Sequence, residues 1–412
     1  MAHYQILVIG GGNAGLSTAS KLLIKEPSLK IGIIEPSEKH YYQPAWTLVG
    51  GGAFDVNDTI KAEKDFIPKG ATWLKDAVAT FQPEQNQVTC KSGTKYTYDF
   101  LVVAPGIQLD WNKVKGLKET LGKNGVTSNY RFDLAPYTWE LLRNFKGGNA
   151  IFTNPNTPIK CGGAPQKIMY LAGDYILKNG LQPKSNIHFY SGGGIIFGVK
   201  KYADTLNKVI ERYKIQTHFK HNLVEIDGPN KKAYFQNEAG ERIEQSFDMI
   251  HVTPPQSAPD FIKDSPLSIL EMDANSGTPC MPGHHTPTFM GWVDVDKYTL
   301  QHNRYPNIFS LGDVANTPNA KTGAAVRKQA PVLVENLLHV KNGGKLDAKY
   351  TGYGSCPLVT GYGKLVLAEF DYDNNPMETF PFDQSKERWS MWMLKTKVLP
   401  WMYWNRILQG RA

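Results

Sequence analysis

Short apolar runs alternate with amphipathic stretches along this chain. Tyr4-Gln-Ile-Leu-Val-Ile9 reads as a buried strand leading into Gly10-Gly-Gly12-Asn-Ala-Gly15, and the apolar spacing from Leu16 to Lys25 predicts a helix. Lys30-Ile-Gly-Ile-Ile-Glu35 is a second strand, ending on an acid. Two later runs have the same apolar character: Tyr98 to Val103, closing on Ala104-Pro-Gly106, and Asn307 to Leu311, closing on Gly312-Asp313. Midway, Asn186-Ile-His-Phe-Tyr-Ser runs into Gly192-Gly-Gly194-Ile-Ile-Phe-Gly198, then a helix through Tyr213 and a strand over 217–226. Pro165 opens a helix reading Gln-Lys-Ile-Met-Tyr-Leu-Ala, since its missing N–H would be unpaired at a first helical position anyway. Near the C-terminus, Trp389 to Trp404 is dense in indole rings, and Pro400 is expected to split it into two short helical pieces. Strands alternating with helices imply parallel sheets and an α/β architecture.

The first unit carries chemistry. Strand, G-x-G-x-x-G, helix, strand and acid together form a dinucleotide-binding fingerprint. Gly10, Gly12 and Gly15 allow a tight turn and close approach of a pyrophosphate to the helix N-terminus, and Glu35 can bind ribose hydroxyls. The strand ending at Ala104-Pro-Gly106 resembles the Ala-Thr-Gly strand of two-dinucleotide flavoproteins. Gly312-Asp313 resembles the motif whose aspartate holds the ribityl chain of FAD. Lys321-Thr322-Gly323 then starts a helix whose N–H groups could face a flavin edge. In the second unit the glycines are spaced G-x-G-x-x-x-G, Ile195, Ile196 and Phe197 fill the loop, and no ribose acid follows, so its NAD site reads as lost. The expected fold is α/β: two Rossmann-like dinucleotide-binding domains in a glutathione-reductase-like arrangement, plus a membrane-associating C-terminal segment. The divisions are 1–125 (first part of the FAD domain), 126–284 (second domain), 285–345 (rest of the FAD domain) and 346–412.

Composition adds limits. A chain of 412 residues with 41% apolar residues is a folded protein of more than one domain. Its net charge of +8 is not gathered into a lysine or arginine block, so no nucleic-acid partner is expected. No run of about 18 apolar residues could span a bilayer, so any membrane contact is peripheral. Indoles favour the bilayer interface, and Lys395, Lys397 and Arg406 suit anionic head groups. With the first strand starting almost at Met1, the expected place is a bacterial inner membrane; the alternative is a mitochondrial inner membrane after removal of a leader.

Four cysteines in so long a chain are no disulfide framework. Cys90 and Cys280 are expected to be inert, and no metal site is expected. Cys161 and Cys356 differ, because each lies in a glycine-rich turn. Cys161 precedes the helix opened by Pro165, where the macrodipole and Lys160 favour a thiolate.

A flavin, two separated turn cysteines and no intact pyridine-nucleotide site describe a sulfur-oxidising flavoprotein. Over essentially its whole length the chain resembles the sulfide:quinone oxidoreductases, in the branch that includes the mitochondrial enzymes of animals. The likeness is carried by Ile9 to Gly15, Glu35-Pro-Ser-Glu-Lys-His-Tyr-Tyr-Gln-Pro-Ala-Trp-Thr-Leu-Val49, Thr157 to Lys167, Gly354-Ser-Cys-Pro-Leu-Val-Thr-Gly-Tyr362 and Glu378 to Arg388. The resemblance implies that Cys161 and Cys356 form the redox pair, bridged at rest by a disulfide or an extra sulfur. It also implies contacts to non-covalent FAD at Asn13, Ala14, Glu35, Gln43, Val78, Asp313 and Lys321. Hydrosulfide would open the bridge at Cys161 to give a persulfide there, and FAD would carry two electrons to a membrane quinone. Sulfite, glutathione, coenzyme A or further sulfide would take the sulfane sulfur. Lys160, Lys167 and Lys321 are candidate cations around the site. His284 and His285 are candidates for proton relay or for a plain loop role. Homo-oligomerisation is left open. The rivals are a type II NADH:quinone oxidoreductase, which needs an intact second nucleotide site, and a flavin-binding membrane scaffold without turnover.

Overall fold

The computed structural model describes residues 1–270 and 290–412; Cys280, His284 and His285 lie outside the described residues. Strand Ala2–Ile9 is flanked by parallel strands Ile31–Ile34 and Lys95–Val103, the latter continuing through Gln87–Cys90 to Val78–Gln82. Its four residues Ile6 to Ile9 are buried from both faces, which is why the run is continuously apolar. Ile308–Ser310 joins this sheet, pairing in parallel with Leu101 to Val103, so chain segments two hundred residues apart share one sheet. Helices Asn13–Lys25 and Gly323–Lys341 cover one face, burying Leu16, Leu22, Leu333 and Leu337 in one core.

A second parallel sheet runs in the order 126–127, 249–251, 148–154, 185–191 and 215–219. Helices Ala164–Lys178 and Lys200–Tyr213 pack against it through Met169, Tyr170, Tyr202 and Leu206. The strand expected over 217–226 is instead two. Ile215–Phe219 ends the parallel sheet, Lys220 takes a left-handed φ of 61°, and His221–Asp227 starts a separate three-stranded antiparallel sheet.

The C-terminal region departs from expectation twice. Cys356 does not sit in a turn: it lies in strand Gly354–Gly361, paired antiparallel with Lys364–Phe370 opposite Ala368. Pro357 follows without breaking the ladder, since this two-stranded hairpin leaves edge positions where no N–H is required. Nor does Pro400 divide the tryptophan-rich stretch. Helical backbone continues from Trp389 to Ile407, with π turns at Leu394–Val398 and Tyr403–Ile407. The first π turn has already displaced the regular hydrogen-bond ladder where the proline would otherwise have broken it. Among the described residues no helix is long and apolar enough to cross a membrane.

Candidate functional site

Cys161 stands just before helix Ala164–Lys178 in a left-handed conformation, φ 56°. The conformation is pinned from both sides: its N–H donates to the Lys321 carbonyl at 2.7 Å, and its own carbonyl accepts from Ala164 at 2.7 Å. The loop is thereby fastened to the segment leading into helix Gly323–Lys341. Across from it, Cys356 is buried in its hairpin, and the two sulfurs are 3.7 Å apart. Gly163 makes that approach possible, because a Cβ there would stand 2.5 Å from the Cys356 sulfur and 2.4 Å from Leu358 Cδ2.

The cation on Cys161 is Lys167, nearly two helical turns on, whose Nζ donates to the sulfur at 2.9 Å. Lys160, the neighbour expected to play this part, turns away to Gln43 Oε1 at 2.6 Å. The Cys356 thiol and the Lys167 ammonium hold Cys161 well below the ordinary thiol range, against the effect of burial. The same thiol contact, with burial, pushes Cys356 well up. Burial works against charge on Lys167, but the two sulfurs outweigh it and raise its pKa. The contact therefore favours the charged form of Cys161 and the neutral form of Cys356.

A cavity of about 840 Å³ opens beside Cys161 and runs back to the first glycine turn. Gly10, Gly12, Asn13, Ala14, Glu35, Gln43, Ala104, Gly106, Gly312, Asp313, Lys321, Thr322 and Gly323 all line it, whereas Gly15, Val78 and Cys356 do not. Gly15 has a different duty, since a Cβ there would lie 1.9 Å from the Gly10 carbonyl and the turn could not close. Val78 is buried in the core with Ile9 and Ile34.

The lining suits FAD. Gly12 faces open space, offering bare backbone at the start of helix Asn13–Lys25. Glu35 accepts the Gly11 and Ser37 N–H groups, each at 2.7 Å, and burial pushes its carboxyl up. Glu63, buried beside Gly11, lines the same end of the cavity and keeps an Oε1 with no protein partner. At the other end Thr322 caps helix Gly323–Lys341, accepting from Ala325 N–H at 3.2 Å, and Thr322, Gly323 and Ala324 of that first turn line the cavity. Asp313 is pushed up by burial against the pull of Lys321 and Lys160. A long anionic dinucleotide with hydroxyls along its length answers each of these groups.

Several lining residues carried no local signal in the sequence. Lys395, read there as a head-group contact, points inward and donates to the Pro44 carbonyl at 2.9 Å. Burial and the charge of Lys167 push it down to about 7. On the same inner face, Tyr403 meets His40 Nε2 at 2.6 Å, and His40 Nδ1 meets Glu63 at 2.8 Å, all three buried. Asn129, Tyr130 and His251 line the cavity from the second sheet. The outer face of the C-terminal stretch exposes Trp389 (66%), Val398 (47%) and Trp401 (58%), with Lys397 and Arg406 beside them. In the second glycine loop Ile196 is buried, Phe197 packs on Phe370 and Tyr202, and Gln166 donates to the Ile196 carbonyl. Ile196 and Phe197 are thus turned inward, whereas Ile195, expected to fill the loop with them, is 66% exposed. Cys90 is buried in the first sheet, and its thiol is pushed up to about 11 by burial and Asp76.

Residues 4–137 match the family model described as pyridine nucleotide-disulphide oxidoreductase. The chain is 50% identical over 409 residues to the mitochondrial sulfide:quinone oxidoreductase of Dictyostelium discoideum, covering 99% of this chain and 86% of that one. It is 45% identical over 410 residues to the corresponding mouse protein, covering 99% and 87%. The fold is similar to that of the sulfide:quinone oxidoreductase of Aquifex aeolicus, with a TM-score of 0.81, 19% identity and coverage of 100% and 92%. The NDH2 structure from Plasmodium falciparum is more distant, with a TM-score of 0.56, 15% identity and coverage of 76% and 65%.

Proposed function

The chain belongs to the sulfide:quinone oxidoreductase family, and on that footing we propose that Cys161 and Cys356 carry its sulfur chemistry beside a non-covalent FAD. It is a flavin-dependent oxidoreductase that oxidises sulfide and reduces quinone. The observation carrying the cysteine assignment is the 3.7 Å approach of two sulfurs 195 residues apart in sequence, one of them held by a buried ammonium.

With the pair bridged, hydrosulfide attacks the Cys161 sulfur; the new S–S bond forms there as the bond to Cys356 breaks, and Cys356 leaves as a thiolate. Lys167 lies where it stabilises whichever sulfur holds the negative charge, and burial keeps water from competing. FAD, which the Gly10–Gly12 turn, Glu35, Asp313 and the Lys321–Gly323 turn would hold, would supply two-electron acceptance from the sulfur pair and onward transfer to quinone. Attack of an acceptor nucleophile on the outer sulfur of the Cys161 persulfide releases Cys161 as the thiolate that Lys167 already favours, and joining the two thiolates re-forms the Cys161–Cys356 bond and gives up the two electrons. Sulfite, glutathione, coenzyme A or further sulfide has the required nucleophilicity.

The exposed indoles and cations of the C-terminal stretch support docking on a membrane surface, where quinone resides. The relatives' names support a mitochondrial location over the bacterial one expected from the sequence. The degenerate second loop supports sulfide, not NADH, as electron donor.

Anaerobic sulfide should bleach the flavin band of the yellow protein, and a short-chain quinone should restore it. Cys356→Ser should lose the response. Bleaching by NADH with none by sulfide would reject the reading in favour of an NADH:quinone oxidoreductase.

A further inference from the structure

A non-glycine residue with a left-handed backbone persists only where its surroundings over-determine it. At Cys161, with φ 56°, the surroundings act on three successive peptide planes. The plane leading into it carries the Lys160 carbonyl, which accepts from the Tyr130 hydroxyl at 3.3 Å, and the Cys161 N–H, which donates to the Lys321 carbonyl. One plane upstream, the Lys160 N–H donates to Gln256 Oε1 at 3.0 Å. One plane downstream, the Cys161 carbonyl accepts from the Ala164 N–H. Relaxing φ turns the first plane relative to the rest of Cys161, so it must break the bonds on that plane or the one below it.

The Lys321 and Ala164 anchors are backbone groups that any sequence would supply. The other two are side chains, Tyr130 and Gln256, and both are buried. Tyr130 follows strand Val126–Thr127, and Gln256 opens the short strand Gln256–Ser257, paired with Gln108–Leu109. The Gln256 N–H also donates to Thr157 Oγ1 at 3.2 Å, so this residue holds the cysteine loop at both 157 and 160. Burial and the two nearby sulfurs push the Tyr130 hydroxyl well up, so it remains a donor while either sulfur is a thiolate. The conformation held in this way puts the Cys161 sulfur 2.9 Å from Lys167 Nζ and 3.7 Å from the Cys356 sulfur. A return to the right-handed region changes φ by roughly 120° and swings Cβ, and with it the sulfur, away from both.

We propose that Tyr130 and Gln256 are positioning residues for the sulfur chemistry, an inference that rests on the sulfide:quinone reading above. They hold Cys161 in its left-handed conformation and so keep its sulfur within reach of Lys167 and Cys356.

The test uses the FAD-loaded protein with two near-isosteric variants, Tyr130→Phe and Gln256→Met; if the second fails to fold, the first decides alone. Three quantities are measured: flavin per chain, the limiting rate of anaerobic bleaching by sulfide, and the pH midpoint of Cys161 alkylation in a Cys356→Ser background. Each variant should keep its flavin, slow bleaching about tenfold, the weight of one hydrogen bond, and raise the alkylation midpoint. With Lys167→Met already present, adding Tyr130→Phe should move the midpoint no further, because the conformation acts through that ammonium. A loss of packing alone would leave the midpoint where it is, so an unmoved midpoint in both variants overturns the proposal. An equal shift with and without Lys167 also overturns it, by making the hydroxyl act on the thiolate directly. Loss of flavin overturns it too, by assigning the two residues to the cofactor. If sulfide fails to bleach even the wild type while the midpoints move as expected, the functional reading falls and the positioning stands, so the two failures are told apart.

Discussion

Gly163→Ala tests whether the sulfur pair depends on one missing methyl group. A Cβ at this position would stand 2.5 Å from the Cys356 sulfur and 2.4 Å from Leu358 Cδ2. Ordinary contacts of this kind settle near 3.5–4.0 Å, so the neighbours must retreat by roughly 1 Å. They have little room, because Cys356 and Leu358 lie on a buried strand paired with Lys364–Phe370. Overpacking of this sort costs about 1–3 kcal/mol, and it would push the Cys356 sulfur away from Cys161. A misplacement of ~1 Å between reacting groups is worth about a hundredfold in rate. The neighbouring Gly162→Ala is the control, since its Cβ would meet nothing within 4 Å. We expect Gly163→Ala to lower the urea midpoint and to cut sulfide-dependent flavin bleaching about a hundredfold, with Gly162→Ala near wild type. Thiol titration should also show the pair harder to bridge in Gly163→Ala alone. If both variants match the wild type in bleaching and stability, the close approach of the sulfurs is not what this glycine protects, and the reasoning fails.

Other perturbations have signs set by the same structure. Lys167→Met removes the ammonium 2.9 Å from the Cys161 sulfur and should raise the pH midpoint of Cys161 alkylation, read by iodoacetamide kinetics in a Cys356→Ser background; an unmoved midpoint would remove Lys167 from the thiolate's support. Lys395 falls from an ordinary 10.5 to about 7 in the folded chain, so between those values the unfolded state binds more protons and stability should rise with pH. Lys395→Met should flatten that rise in urea titrations across pH 7–10, and an identical slope in both proteins would contradict the burial of its charge. Tyr403→Phe strips a hydroxyl 2.6 Å from buried His40 and should cost about 1–2 kcal/mol, visible as a lower thermal midpoint and faster proteolysis of the C-terminal stretch. No change in either would mean that this contact does not hold the stretch in place.

The relation between sequence and site differs from one element to the next. The first nucleotide turn was legible because its determinants are local. Gly10, Gly12 and Gly15 are required by a single turn, and Glu35 ends the very next strand, so spacing alone carries the information. Helix Ala164–Lys178 declared itself through Pro165 for the same reason. The cysteines were identified by motif likeness, but their 3.7 Å meeting depends on a hairpin and a helix that pack only after both domains have formed.

Other features were decided entirely by packing. Whether Lys395 faces lipid or cavity depends on the rotation of one helical stretch, and two π turns alter that rotation. The choice between Lys160 and Lys167 as the Cys161 counter-ion turns on where two side chains of opposite direction find acceptors. Glu63 and His40 have no motif at all; they matter because helix docking brings their side chains to one cavity. Local backbone chemistry repeats along a chain and can be read from spacing. The protonation and partners of a buried side chain depend on which distant segments exclude water from it, and only the folded structure specifies those.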